Sequence, residues 1–183
     1  MKAYHFLKSD MTSNKGNEPA WEVGEEREIK GDLIMCEHGY HSSPSWYDAI
    51  RYALGHMACI VEISGETIKD GSKQVSRKRK LVDVRDASRT LRVYLCDCMK
   101  RSLRKTDTAG KPYREFSELA GLYIDSKATI RNLSFARIAA NKDDVRATRN
   151  VNEIKAEIDT ETRWKKRRLD NLMKELFKGE QND

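Results

Sequence analysis

Apolar and polar residues alternate along this chain at two different spacings, and the change between them falls near residue 86. Lys2 to Leu7, with Tyr4, His5 and Phe6 at its centre, predicts a first strand that ends in a polar, glycine-containing loop from Ser9 to Pro19. Trp21 to Val23, then, past Gly24, Ile29 to Met35 around Gly31-Asp32, predict short β segments with residue types between them that favour turns. Cys36 to Ser43 is polar and carries Gly39, which predicts an ordered loop or a strand edge. Ser43-Pro44 predicts a helix start, since a serine cap satisfies orphan amides and proline is tolerated at the first helical position. That helix is expected to run to about Leu54, with Trp46, Ile50, Ala53 and Leu54 on one face and Gly55 as a left-handed stop. Met57 to Ile63 is the most continuous apolar run and predicts a central strand. Gly65 and Asp70-Gly71 predict turns, and Lys73 to Val84 a long basic strand or hairpin arm.

After Asp86, a capping residue, the period becomes 3.6. Leu91, Tyr94, Leu95, Cys98, Met99 and Leu103 form a stripe that predicts a helix, with Cys98 in the core and Cys96 incidental. Thr106 to Pro112 predicts a loop; Phe116, Leu119, Ala120 and Tyr123 a short helix; and Ile130, Leu133 and Ile138 another, capped by Ser126. From Asn141 to Lys178 there is neither proline nor glycine, and acids open the stretch while lysines close it, as a long helix requires. Val151, Ile154 and Ile158, then Leu169, Leu172 and Leu176, form two half-seams interrupted at Glu161, Thr162 and Lys165. The fold class expected is α+β. A small mixed or antiparallel β-sheet domain with one packed helix occupies 1–85, and a helical region ending in a long basic helix occupies 86–183.

Charge divides the chain in much the same place. Residues 1–72 balance at −5 and residues 73–183 at +11, so the basic character belongs to the second half. Such an asymmetry favours a partner that is acidic or carries phosphate, although the solvated faces of long helices account for it equally well. At 183 residues the chain can bury a core without staples, and its four cysteines, with no signal peptide ahead of them, read as reduced thiols in a cytosol. No apolar run reaches the ~20 residues that span a bilayer, and no lipidation signature closes the sequence.

Several chemistries lack the residues they need. Cys36, His38 and His41 lie close together, but Cys96 and Cys98 are two apart on a helix and cannot both face one ion, so no metal site is expected. No serine or cysteine stands in a nucleophile-elbow or triad context, and no glycine-rich phosphate loop is present. Two cation clusters remain as candidates for binding nucleic acid or another partner: Arg77, Lys78, Arg79 and Lys80 on the basic strand, and Arg163, Trp164, Lys166, Arg167 and Arg168 on the last helix. The second interleaves an aromatic among charges, which suits phosphate neutralisation with base stacking. Trp164 is expected to dock on the N-terminal half or on a partner.

The run Lys2-Ala3-Tyr4-His5-Phe6, Gly24, Cys36-Glu37-x-Gly39-x-His41-x-Ser43, Asp48-Ala49-x-x-Tyr52-Ala53, Val61-Glu62-x-x-Gly65 and Asp86-Ala87 resembles a family of small bacteriophage proteins over about 85 residues. The resemblance implies a phage origin and expression in the cytoplasm of an infected bacterium, with no particular activity. The second half departs from the low-complexity helical tract of such relatives. The expected function is therefore that of a phage accessory protein that binds a host or phage protein, countering a host defence, with self-association through the long helix as one mode and nucleic-acid binding as the alternative. Tyr4-His5-Phe6, Gly39-Tyr40-His41-Ser42 and the helix that follows also resemble the ADP-ribosyltransferase type of fold. That resemblance implies NAD as cofactor, His5 on a ribose hydroxyl, Tyr40 and His41 in the nicotinamide region and Glu62 as the carboxylate that activates the acceptor. Against it, His5 and His41 read more readily as hydrogen-bonded structural histidines beside a turn, and Glu62, flanked by Val61 and Ile63, as a solvent-facing residue.

Overall fold

The computed structural model describes residues 1–13, 18–53, 55–104, 111–126 and 151–178. They form an α+β protein in which five antiparallel strands precede the long helices. The strands are β1 (Lys2–Leu7), β2 (Glu26–Glu28), β3 (Tyr40–Ser42), β4 (Met57–Asp70) and β5 (Lys73–Asp86). β1 pairs with β4 and β4 with β5, while the other edge of β5 takes β2 opposite Lys78–Lys80 and β3 opposite Gln74–Ser76. The sheet then curls back on itself. Tyr4 and Ser43 exchange two backbone hydrogen bonds of 2.9 Å, which ties the end of β3 to the free edge of β1.

Closure of the curl explains where the helix after β3 begins. Ser43 was expected to cap it, but its backbone is committed to Tyr4 and stays extended. Ser45 caps instead, its Oγ accepting from Asp48 N at 3.2 Å and donating to the Asp48 carboxylate at 2.6 Å. The helix is correspondingly short: α1 (Trp46–Ala49) passes into a 3₁₀ turn at Ile50–Tyr52. Nor does Gly55 stop it in a left-handed conformation, since its φ is not positive. Glycine is needed there for close approach, because a Cβ would lie 2.1 Å from the Leu7 carbonyl oxygen.

Strand lengths also differ from the sequence pattern. β4 does not end near Gly65 but runs on to Asp70, absorbing the glycine in an irregularity of register between Ser64 and Thr67. Tyr40–Ser42 is a short strand on the edge of β5, one of the two forms expected for the Cys36–Ser43 segment. Trp21 lies outside any strand, and of the Ile29–Met35 segment only Ile34 pairs, in a single bridge to His38.

Two compact units divide the chain: Met1–Ser88 with the residues from Leu169 onward, and Arg89–Arg168. In the first, Ala3, Leu7, Cys59, Val61, Ile63 and Leu81 turn one face of the sheet onto Trp21. The other parity of β1 presents Tyr4 and Phe6 to Trp46, at ring separations of 4.5 and 5.6 Å, and Trp46 in turn stacks on Phe177 at 5.4 Å. Phe177 belongs to α4 (Val151–Lys178), which is the long helix expected from the absence of breakers.

The second unit contains α2 (Ser88–Arg104) and α3 (Lys111–Ile124). Asp86 does cap α2, accepting from Ser88 N at 2.8 Å. The two cysteines of α2 have exchanged roles, however: Cys96 is buried with Met99 and Ala120, and Cys98 is only half-buried. Residues two apart face different directions, and the packing of α3 against α2 selects the Cys96 side. The short helix expected after Ser126, with Ile130, Leu133 and Ile138, lies outside the described residues, as do the start of the long helix at Asn141 and most of the Thr106–Pro112 loop.

Candidate functional site

A cavity of about 660 Å³ opens in the first unit where the curled sheet meets the segment before β3. The β1 residues Tyr4, His5 and Phe6 form one wall. Cys36 to Ser43 form a second, Arg79 of β5 a third, and Ala49, Arg51, Tyr52 and Ala53 the side nearest α1. Apolar lining with a few convergent polar groups is the usual composition of a small-molecule site.

The Cys36–His41 wall is held by a network of its own. Ile34 N donates to His38 O and His38 N to Ile34 O, both at 2.9 Å, and His38 Nδ1 lies 2.7 Å from Asp32 O. Cys36, in the left-handed region at φ 68°, directs its N–H to His41 Nε2 at 2.7 Å, so Nε2 accepts and the ring proton of His41 sits on Nδ1. At the exposed end of the cavity Lys73 Nζ donates to Cys36 Sγ at 3.3 Å, which raises the lysine's pKa, and lies 5.4 Å from the Tyr52 ring.

Farther in stands Arg79, only 3% exposed. Its Nη1 donates to His41 O at 3.2 Å and its Nη2 to Ser13 Oγ at 3.3 Å, while Cζ lies 4.3 Å from the Trp21 ring and 5.0 Å from that of Tyr40. Glu18 approaches no closer than 3.9 Å and also serves Arg27 at 3.7 Å. Burial lowers the pKa of Arg79 to about 10. Beside it, burial first, then Arg79, then His41 hold His5 well below the usual histidine pKa, so the ring is neutral. His5 and Ser42 line the cavity, and His5 Nε2 and Ser42 Oγ are sealed from solvent without a hydrogen-bond partner among the described residues. Burial, then Glu18, raises the pKa of Tyr40.

His5, Tyr40 and His41 therefore share one cavity, but Glu62 does not join them. It is exposed on β4 between inward-facing Val61 and Ile63, and the carboxylates on the cavity wall are Glu18 and Glu37. His41 is hydrogen-bonded, as a structural histidine would be; Nε2 of His5 has no partner among the described residues. Arg79 is one of the four consecutive cations on the basic strand, and the structure turns it inward. The available signal was its two-residue offset from Leu81, which places both on one face of a regular strand. Ser42 and Ser13 carry no local signal of their own.

The first cation cluster is largely absorbed by the fold. Arg77 binds the carbonyls of Ile29 and Gly31 and pairs with Glu66, Lys78 pairs with Glu28 at 3.1 Å, and Arg79 is buried. Lys80 is half-buried opposite Glu26 on β2 and Glu62 on β4. On α4, Arg168 pairs with Asp97 at 2.8 Å, Arg101 pairs with Glu161 at 3.0 Å, and Trp164 is half-buried with Arg101 4.5 Å from its ring. Arg163, Lys166 and Arg167 stay exposed, with no carboxylate within 4 Å among the described residues.

Among the described residues no group of three or more histidine, cysteine or acidic side chains is arranged to hold a metal, and no helix is long and apolar enough to cross a membrane. A family model described as a domain of unknown function, DUF7666, matches residues 1–92, which takes in the whole sheet and the start of α2. No curated protein and no solved structure matches the chain.

Proposed function

The chain belongs to the DUF7666 family, and on that footing we propose that it works as a binding protein whose first unit holds a small organic ligand in the cavity beneath the curled sheet. The observation that carries this is a cavity whose lining residues include His5 and Ser42, each with a buried polar atom, Nε2 and Oγ, that has no hydrogen-bond partner among the described residues. Burying such a group unpaired costs about 1–3 kcal/mol. A polar ligand group between the two removes that cost, because a neutral histidine nitrogen and a hydroxyl together can both donate and accept.

The resemblance to ADP-ribosyltransferase-type folds makes NAD the first ligand to try, with His5, Tyr40 and His41 as its contacts. Transfer chemistry would need a carboxylate near the acceptor, and with Glu62 outside the cavity that role would fall to Glu18 or Glu37. Melting curves recorded with NAD, nicotinamide and adenosine are the direct test. A ligand at ten times its Kd stabilises by about 1.4 kcal/mol, which is readily seen as a shift in Tm. Superimposable curves with NAD remove the transferase-type reading; superimposable curves with all three remove nucleotide-type compounds as ligands of the cavity.

A second reading rests on α4, where Arg163, Lys166 and Arg167 form an exposed ridge at helical spacing. In that reading the chain is a phage accessory protein, acting in the cytoplasm of an infected bacterium, that captures an acidic host or phage protein and so blunts a defence. Nucleic acid is the competing partner for the same ridge. Pulldown from infected cells that recovers one stoichiometric protein supports capture. Binding to nucleic acid whose logarithm falls steeply with log salt, and flattens in the Arg163→Ala, Lys166→Ala, Arg167→Ala variant, supports the other.

A further inference from the structure

The geometry points to an anion subsite at the buried end of the cavity, where Arg79, His5 and Ser42 together receive one oxyanion group, a carboxylate or a phosphate ester, of the bound ligand. This rests on the ligand-binding reading of the same cavity and adds the chemical class of what enters it.

Arg79 is the reason. A guanidinium carries five N–H donors, and the protein occupies two of them, through His41 O and Ser13 Oγ, so three remain without a partner among the described residues. The side chain is almost completely shielded from water, which therefore does not serve those donors freely. Its nearest carboxylate, Glu18, is too far for a hydrogen bond and divides its charge between Arg79 and Arg27. Stacking on Trp21 and Tyr40 offsets part of the desolvation, but a ring face offers no acceptor for an in-plane N–H. A buried cation with spare donors and a shared counter-ion favours a mobile anion, and a planar carboxylate or a phosphate matches the fork of a guanidinium.

The neighbours favour the same group. Among the described residues His5 Nε2 and Ser42 Oγ are buried on this side without a hydrogen-bond partner, and both can donate to an oxyanion. Protonation of His5 is suppressed by burial and by Arg79; an arriving negative charge reverses the second influence and lets the ring strengthen its hold. Glu18 on the same wall opposes the anion, and Glu37 opposes it farther out, while Arg51 and Lys73 near the opening act in its favour. A small surplus of positive charge fits a group of low charge better than a polyphosphate.

The test uses the full chain labelled with ¹⁵N and follows the imidazole signals of His5 while sodium acetate or inorganic phosphate replaces sodium chloride at constant ionic strength. The expected result is a saturable shift of the His5 ring signals with at least one of the two anions. It should weaken about tenfold in Arg79→Lys, which keeps the charge but not the fork, and several-fold in Ser42→Ala. A response to acetate places carboxylates among the ligands, and a response to phosphate alone narrows the class to phosphate esters. Ser42→Ala keeps the proposal testable should Arg79→Lys fail to fold. If neither anion moves His5 while adenosine or nicotinamide still raises Tm, the subsite is wrong and the cavity reading survives. If neither anion nor neutral compound has any effect, both are wrong.

Discussion

Replacing Gly39 by alanine should be among the most damaging single-methyl changes in the first unit, and two separate costs make it so. Gly39 has φ +121°, a region that residues with a Cβ avoid, and holding such a residue there costs about 1–3 kcal/mol. The added methyl would also lie 2.4 Å from Val75 Cγ2 and 2.9 Å from Leu33 Cδ2. Val75 is fully buried and Leu33 is 7% exposed, so neither can swing into solvent, and overpacking of this kind costs about 1–3 kcal/mol more. The total is about 4 kcal/mol. Gly71→Ala supplies the comparison: it sits in the β4–β5 turn at φ +55° with nothing within 4 Å of a new Cβ, and only the left-handed penalty of about 1–2 kcal/mol applies. Urea unfolding followed by tryptophan fluorescence measures both variants. The first should lose some 2–3 kcal/mol more than the second. Equal losses would refute the account, since they would mean that the contact with Val75 and Leu33 is relaxed at no cost. Because Gly39 directly precedes Tyr40 and His41, the same variant should bind any cavity ligand more weakly even under conditions where it remains folded.

Two further predictions follow from buried titratable groups. His5 is held neutral in the folded chain, so the unfolded chain takes up a proton near pH 6.5 that the folded chain refuses. The stability present above that pH should be lost progressively as pH falls below it toward the folded-state pKa, and His5→Gln should flatten this part of the stability-pH curve; an unchanged slope would remove His5 as its source. Thiol reactivity should separate the cysteines: Cys36 is exposed, whereas Cys59 is fully buried with its thiol pushed up to about 12. Iodoacetamide followed by peptide mass spectrometry should therefore find Cys36 alkylated in the native chain and Cys59 only after denaturation, and equal rates would contradict the burial described.

Much of the architecture was legible without coordinates because local pattern carries it. Lys2–Leu7 has the same bounds in sequence and structure, the basic β5 strand and the α2 stripe appear where period and capping place them, and the breaker-free stretch does form a long helix through Val151–Lys178. The misreadings share a cause. Ser43 is a good cap by residue type, but the bridge to Tyr4, thirty-nine residues away along the chain, claims its backbone. Gly65 is a good turn residue, yet pairing with β5 carries the strand past it. Cys96 and Cys98 offer nearly equal side chains to a packing helix, and α3 makes the choice.

The candidate site shows the same division more sharply. Residue types and spacing by themselves determined the strand, the histidines and aromatics it carries, and the presence of a run of cations, since each depends on neighbours a few positions away. Only the tertiary structure decided that Arg79 points inward beside His5 while Glu62 points out, that Arg77 and Lys78 are matched by nearby carboxylates, and that Arg163, Lys166 and Arg167 stay exposed without one among the described residues. Direction and burial depend on which distant segments close over a strand, and in this chain the end of β3 and the middle of β1, more than thirty residues apart in sequence, are brought together by the curl of a sheet.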